Sequence, residues 1–206
     1  MEYRPQIGVD ILRKEAWDKV TGTAKYNADI VTSNILYTKI LTSPYAHAII
    51  KKIDISKAEK ATGVQAVITG DYYPTLSGSV IEDKPPIARD KVRYFGEPVA
   101  VVVANSIEDA LSAIQLIKVD YEPLPVVNSI QEAIEPNAPL VHENLVQYVL
   151  PIKNISPEFN SNIMDNVRIR KGDINKGWEE SDVIIESSFT LPQSDHLAME
   201  TRNTMA

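Results

Sequence analysis

The 206-residue chain has three histidines, His47, His142 and His196, and what stands beside them sets the chemistry open to it. His196 and Glu200 stand at i, i+4, a spacing that puts two ligands on one helical face. No H-E-x-x-H pattern accompanies them, no third ligand is signalled, and a strand pattern precedes them, so ordinary packing is the reading. Ser43 sits just before His47, but a nucleophilic serine needs a base held by a third group and an oxyanion hole. No G-x-S-x-G or comparable elbow marks either, and Pro44 after the serine suits the exit from a strand. His142-Glu143 reads as a hydrogen-bonded loop pair just ahead of a connection. Glu97, at the mouth of a valine-rich run, is expected to pair with Arg93 in a structural role, because no second carboxylate accompanies it. The eight glycines form neither G-x-G-x-x-G nor a phosphate loop. The residues themselves therefore assign no catalytic, cofactor-binding or metal-ligating position.

Composition narrows the class. Zero cysteine leaves no thiolates for an iron–sulfur cluster, so any such cluster has to be held elsewhere. A content of 44% hydrophobic and 24% charged residues is that of a soluble globular protein. The net charge of −7, from 21 basic and 28 acidic side chains, argues against a nucleic-acid partner, whose binding rests on neutralising phosphates. The basic cluster of Lys51, Lys52, Lys57 and Lys60 reads as a solvated face. No apolar run approaches the roughly 20 residues of a membrane span. The N-terminus, Met1-Glu2-Tyr3-Arg4-Pro5, lacks the apolar core of a signal peptide, which points to a cytoplasmic protein.

The elements that must position these residues alternate along the chain. Strands are expected over 35–41, 48–55, 64–69, 99–104 and 118–121, from β-rich or alternating runs bounded by turn residues. Ser56 and Glu59 form a capping-box pattern and Gly63 suits a left-handed terminator, which predicts a short helix over 57–62. The valine run 99–104 predicts a strand buried on both faces, with Val101 in the core. Ser106 predicts the cap of a helix over 106–117, with Ile107, Ala110, Leu111, Ile114 and Ile117 inward. Ser129 and Glu132 repeat the capping box, and Pro136 ends that helix. Two strand–helix–strand units result. Residues 147–166, rich in Asn, Ser and Pro, predict an extended connection. A helical stretch over 172–180 and a strand over 182–190, with Val183, Ile185 and Phe189 on one face, follow.

Three phrases along these elements carry a resemblance. They are Lys19-Val20-Thr21-Gly22-Thr23-Ala24-Lys25-Tyr26 with Asp29, then Ser43-Pro44-Tyr45-Ala46-His47-Ala48, then Gly96-Glu97-Pro98-Val99-Ala100. In this order the chain resembles the start of the large, molybdenum-binding subunit of the xanthine dehydrogenase and aldehyde oxidase family. Gly63-Val64-x-Ala66-Val67, Tyr121-Glu122-x-Leu124-Pro125 and Val141-His142-Glu143 add to it. Gln193-Ser194-Asp195-His196-Leu197-Ala198-Met199-Glu200-Thr201 resembles the opening of the next domain. The Ser194-Asp195 pair departs from the spacing of many relatives, which bears on the subfamily.

The resemblance implies an α/β (α+β) fold: an α/β-hammerhead domain with a mixed sheet and flanking helices over about 10–145. A linker over 146–166 and the truncated start of a molybdopterin-binding domain over 167–206 would follow. It implies the N-terminal part of a molybdenum hydroxylase, which oxidises an electron-poor carbon and passes electrons to iron–sulfur clusters. The family's base glutamate, glycine-rich loop and pterin-side glutamine lie downstream and map to no residue here. The molybdopterin cofactor is thus expected in the full-length subunit and not on this fragment, which alone is expected to be inactive. Partners implied are iron–sulfur and FAD-binding subunits or domains. Purines, aldehydes, nicotinate and aromatic thioesters are all substrates of relatives, and nothing here selects among them. A reading from another class is a non-enzymatic hammerhead module for the docking of subunits or the delivery of cofactor. The end of the chain inside a family phrase favours the enzyme fragment. The 182–190 strand face, without its sheet, is expected to fold back or to pair with a second chain as a homodimer.

Overall fold

The structure, a computed structural model, describes residues 8, 10–30, 32–192, 194–198, 200 and 204. The N-terminal pentapeptide and, from the last family phrase, Gln193, Met199 and Thr201 lie outside the described residues. In chain order the elements are α1 (Ala16–Thr21), β1 (Tyr37–Thr42), β2 (Ala48–Asp54), β3 (Val64–Thr69), β4 (Lys91–Val92), β5 (Pro98–Ala104), α2 (Ile107–Ile114), β6 (Lys118–Pro123), α3 (Ile130–Ala133) and α4 (Ile174–Glu179). The chain divides into two compact units, Leu36–Ile174 and a smaller one formed by Met1–Ile35 with Asn175–Ala206.

The larger unit holds two three-stranded sheets, ordered β1-β5-β3 and β4-β2-β6. Its small sheets and few helices agree with the α/β class. Every ladder among the described residues is antiparallel, however, so the sheet is not a mixed one. Of the two expected strand–helix–strand units, the second forms as β5-α2-β6, with its strands in different sheets, and the first does not. β2 and β3, consecutive in sequence, go to different sheets. Between them 57–62 is a run of turns rather than a helix. The reason is local. The Ser56 hydroxyl and backbone N both donate to Asp54 Oδ1, a local turn that competes with a helix cap. Gly63 does take the left-handed conformation, at φ 76°.

β5 is the central strand of its sheet, and one of its faces builds the main core. Ala100, Val102 and Ala104 are fully buried against Ala110, Ala113, Ile114 and Ile117. Small side chains on both surfaces leave little between helix and sheet, so dispersion contacts are dense there. Val101 and Val103, on the opposite face, are only half-buried, which corrects the reading of a strand covered on both sides. Ser106 caps α2, its Oγ accepting from Asp109 N at 3.0 Å. The buried stripe of α2 centres nearer Ala113 than the periodicity suggested, and Ile107 and Leu111 stay largely exposed. A second cluster, Ala48, Ile50, Ala88, Val92 and Val99, ties the other sheet to the start of β5.

Residues 147–166 form no strand or α-helix, as expected, yet they are held to this unit. Asn162 Nδ2 donates to Ala133 O and Pro139 O, and its Oδ1 accepts from Val141 N. Helix α4 lies within the expected 172–180 stretch. No β-ladder among the described residues includes 182–190, and Val183, Ile185 and Phe189 are exposed. A strand is stable only with a partner for its backbone groups, and none is available to this segment in the ladders formed.

Candidate functional site

The family phrases meet at chain turns. Ser43 N donates to Glu97 O at 2.9 Å and Gly96 N donates to Ser43 O at 2.9 Å, so the second and third phrases face each other. Gly96, at φ 84°, supplies the left-handed residue of that turn. The Ser43 hydroxyl donates to Tyr45 O and accepts from Tyr45 N, a local turn lock rather than a nucleophile aimed at a base. His47 is buried and its Nδ1 contacts Pro125 O at 2.6 Å; a carbonyl only accepts, so Nδ1 carries the proton. The Tyr45 and Tyr121 rings meet at a tilt of 52°, their centroids 5.2 Å apart.

Glu97 is 2% exposed, and its Oε2 accepts from the backbone N of Arg93 at 2.5 Å. The expected side-chain pair with the Arg93 guanidinium is therefore replaced by a carboxylate that clamps a backbone amide. Burial pushes the Glu97 pKa up, and the backbone amides of Arg93 and Tyr94 oppose it only in part. The lysines of the basic cluster lie on the exposed surface, Lys51 pairing with Glu122.

A group of ionisable side chains surrounds a pocket of about 210 Å³ lined by Tyr73, Asp83, Arg89, Lys91, Arg93 and Tyr148, among others. Lys91 is 7% exposed, and its Nζ reaches Glu143 Oε1 at 2.5 Å and Leu140 O at 3.4 Å. Arg93 donates from Nε to Val141 O and from Nη1 to Lys91 O. His142 and Glu143 do not pair with each other as expected. Successive side chains diverge, and His142 instead packs edge-on to Tyr148, with Nδ1 3.1 Å from its hydroxyl and Nε2 3.3 Å from Asp83 Oδ2.

An Asp–His–Tyr line has the look of a proton relay, but its electrostatics point away from catalysis. Burial and then the Arg93 charge push the His142 pKa down to about 4, with Asp83 opposing. An imidazole that weak is a poor general base near neutrality. Burial also raises the Tyr148 phenol, which stays protonated. Burial alone would raise Glu143, but its hydrogen bond with Lys91 holds it below the ordinary value. Lys91 is paired with Glu143 and Arg93 is held by backbone carbonyls, and the arrangement can hold a segment in place. Of these groups, the sequence singled out Arg93, His142 and Glu143. Lys91, Asp83 and Tyr148 were missed, and no local signal marks them.

In the smaller unit the first phrase is also a turn. Gly22, at φ 73°, ends α1, and the amides of Thr23 and Ala24 donate back to Asp18 O. Asp29 Oδ2 accepts from Tyr26 N, and Glu200 Oε1 accepts from Asn27 N. The His196 and Glu200 pair is not brought together on a helix: 194–198 has no regular structure, and His196 is fully exposed beside Asp195. Lys19, Tyr26, Asp29 and Glu200 border an open hollow.

Comparison with known proteins decides what these turns belong to. The family model described as aldehyde oxidase and xanthine dehydrogenase, a/b hammerhead domain, matches residues 21–125. The chain belongs to this family. A second model, the molybdopterin cofactor-binding domain, matches residues 155–206 of this hammerhead protein. A probable xanthine dehydrogenase subunit of Bacillus subtilis is 37% identical over 95% of the chain and 24% of its own length. The nicotinate dehydrogenase large molybdopterin subunit of Eubacterium barkeri is 28% identical over 94% of the chain and 42% of its length. The crystal structure of quinoline 2-oxidoreductase from Pseudomonas putida 86 matches with a TM-score of 0.59 and 39% identity, over 66% of this chain and 19% of that one. The hammerhead chain thus spans about a quarter of the length of the bacterial xanthine dehydrogenase relative.

The family implies a molybdenum–pterin cofactor. Among the described residues, no group of three or more His, Cys, Asp or Glu side chains is placed to hold a metal ion. The hollow beside Glu200 offers carboxylates and a lysine, with no sulfur or imidazole. No helix among the described residues is long and apolar enough to cross a membrane.

Proposed function

We propose that this chain is the N-terminal part of the large subunit of a molybdenum hydroxylase, an oxidoreductase of the xanthine dehydrogenase and aldehyde oxidase type. In this reading the hammerhead domain runs over about 10–145, a connection over 146–166, and the start of the molybdopterin-binding domain over 167–206. The observation that carries the proposal is the order of the two family matches, hammerhead at 21–125 and cofactor-binding domain at 155–206, on one chain. The described residues act as scaffold: buried Glu97, the Ser43 turn and the Lys91–Glu143 pair fix backbone and present no reactive group. The catalytic molybdenum site, and iron–sulfur and FAD-binding partners, belong to the remainder of the enzyme, in the cytoplasm. A relative named as a large chain and another named as the gamma subunit of a dehydrogenase complex support partner subunits.

Antibodies raised against this chain would isolate the native protein for elemental analysis and for dye-reduction assays with purines, aldehydes and nitrogen heteroaromatics. Near-stoichiometric molybdenum and oxidation of at least one class are expected there. The 206-residue chain made alone is expected to carry neither molybdenum nor iron and to oxidise none of them. A native protein free of molybdenum would overturn the proposal.

A further inference from the structure

Residues 140–149 form a strap along the 210 Å³ pocket, to which Asn144 and Tyr148 contribute a wall. Most of what holds the strap is polar. Leu140 O and Glu143 are bound by Lys91, Val141 O by Arg93, and Val149 O accepts from Glu82 N at 2.9 Å. His142 is seated between Asp83 and Tyr148. Leu145 is the one buried side chain along 141–150. A segment fixed by charges rather than by apolar area responds to the protonation of its members.

We propose that this strap is an acid-released latch with His142 as its trigger: protonating the imidazole frees 140–149 and opens the pocket beneath it. The groups facing His142 are Asp83 from the loop between β3 and β4, Lys91 on β4, Arg93 just after it, and Glu143 and Tyr148 on the strap itself. A cation at the largely buried His142 adds a third positive charge beside Lys91 and Arg93. Asp83 and Glu143 offset part of this, and Glu143 is already committed to Lys91. Once lifted into solvent, the imidazole returns to its ordinary affinity for protons.

The sign follows from the folded value lying below the ordinary one. Closure is favoured fully above pH 6.5 and is lost as pH falls towards about 4. At the acid end of that interval opening is roughly 160-fold easier than well above pH 6.5. Opening also leaves Lys91 without Glu143, so the pocket floor becomes a cationic surface.

Amide hydrogen exchange of the full chain between pH 4 and 7, corrected for intrinsic rates, tests the latch. Protection at 140–149 should fall by at least tenfold on acidification while β5 amides stay protected. The fall should track the titration of His142 followed by imidazole NMR in the same unmodified protein. His142→Gln, which cannot gain a proton, should flatten the response. Strap protection that stays constant over this range overturns the proposal, as does loss only together with β5. The same holds if the response persists in His142→Gln, or if His142 titrates near 6.5 with the strap still closed. Should that variant not fold, the titration and exchange of the unmodified chain decide alone.

Discussion

At residue 97 a carboxylate lies almost wholly out of water with a backbone amide on its Oε2. Its pKa is raised by burial, so its favourable contribution to folding is complete below the ordinary value of 4.5 and is lost as pH rises through the folded value. Near neutrality the charge is a cost, and the clamp on Arg93 N offsets it. Glu97→Gln keeps an acceptor and removes the charge, so its stability at pH 7 should lie within about 1 kcal/mol of wild type. Glu97→Ala leaves the amide without a partner and should cost about 1–3 kcal/mol. Urea denaturation at pH 7 separates the two. Equal losses would mean that the acceptor is not what holds the turn. The same logic covers the other family phrases, where Ser43, Asp29 and Gly22 satisfy or turn local backbone.

Among the elements, β5 has neighbours on both edges and α2 across one face. Its inward positions are Ala100, Val102 and Ala104, all at 0% exposure, whereas Val101 faces the half-covered side. The sensitive residue is therefore Val102 and not Val101. An unpaired charge buried at 102 costs several kcal/mol, comparable to the whole margin of a domain, so Val102→Asp should abolish cooperative folding. Val101→Asp, able to reach solvent, should fold with a lowered midpoint. Circular dichroism through a urea titration distinguishes them. A cooperative Val102→Asp protein with a near-normal midpoint would show that this strand is not the centre of the core.

For the whole molecule, the compact body of Leu36–Ile174 includes the Asn-rich connection, because Asn162 bonds to the 133–141 loop from both ends of its amide. A protein cut after Asn166 keeps that staple. It should melt cooperatively and be more monomeric than the full chain, since exposed Val183, Ile185, Phe189 and Leu191 are removed. A cut after Leu145 removes Asn162 and should lower the melting temperature by several degrees, as a loss of about 1–2 kcal/mol does in a domain of this size. Calorimetry and light scattering on both proteins check this. If the longer piece loses its cooperative melt, the C-terminal segment is part of the main core.

What the sequence determined by itself is what local backbone chemistry writes into it. The Ser106 cap, the left-handed Gly63, the strand positions near 37–42, 98–104 and 118–123 and the family phrases are all read within a few residues of themselves. Only the tertiary structure decided which strands share a sheet, because pairing joins residues that leave no trace in each other's neighbourhood. It also moved the core from Val101 to Val102, since the face a strand buries depends on where the helix lands. The Lys91–Glu143 pair spans 52 positions, and Asp83 and Tyr148 reach His142 from opposite sides of it in sequence. No period or motif records such a meeting, since it exists only after the chain has closed the loops that bring those charges together.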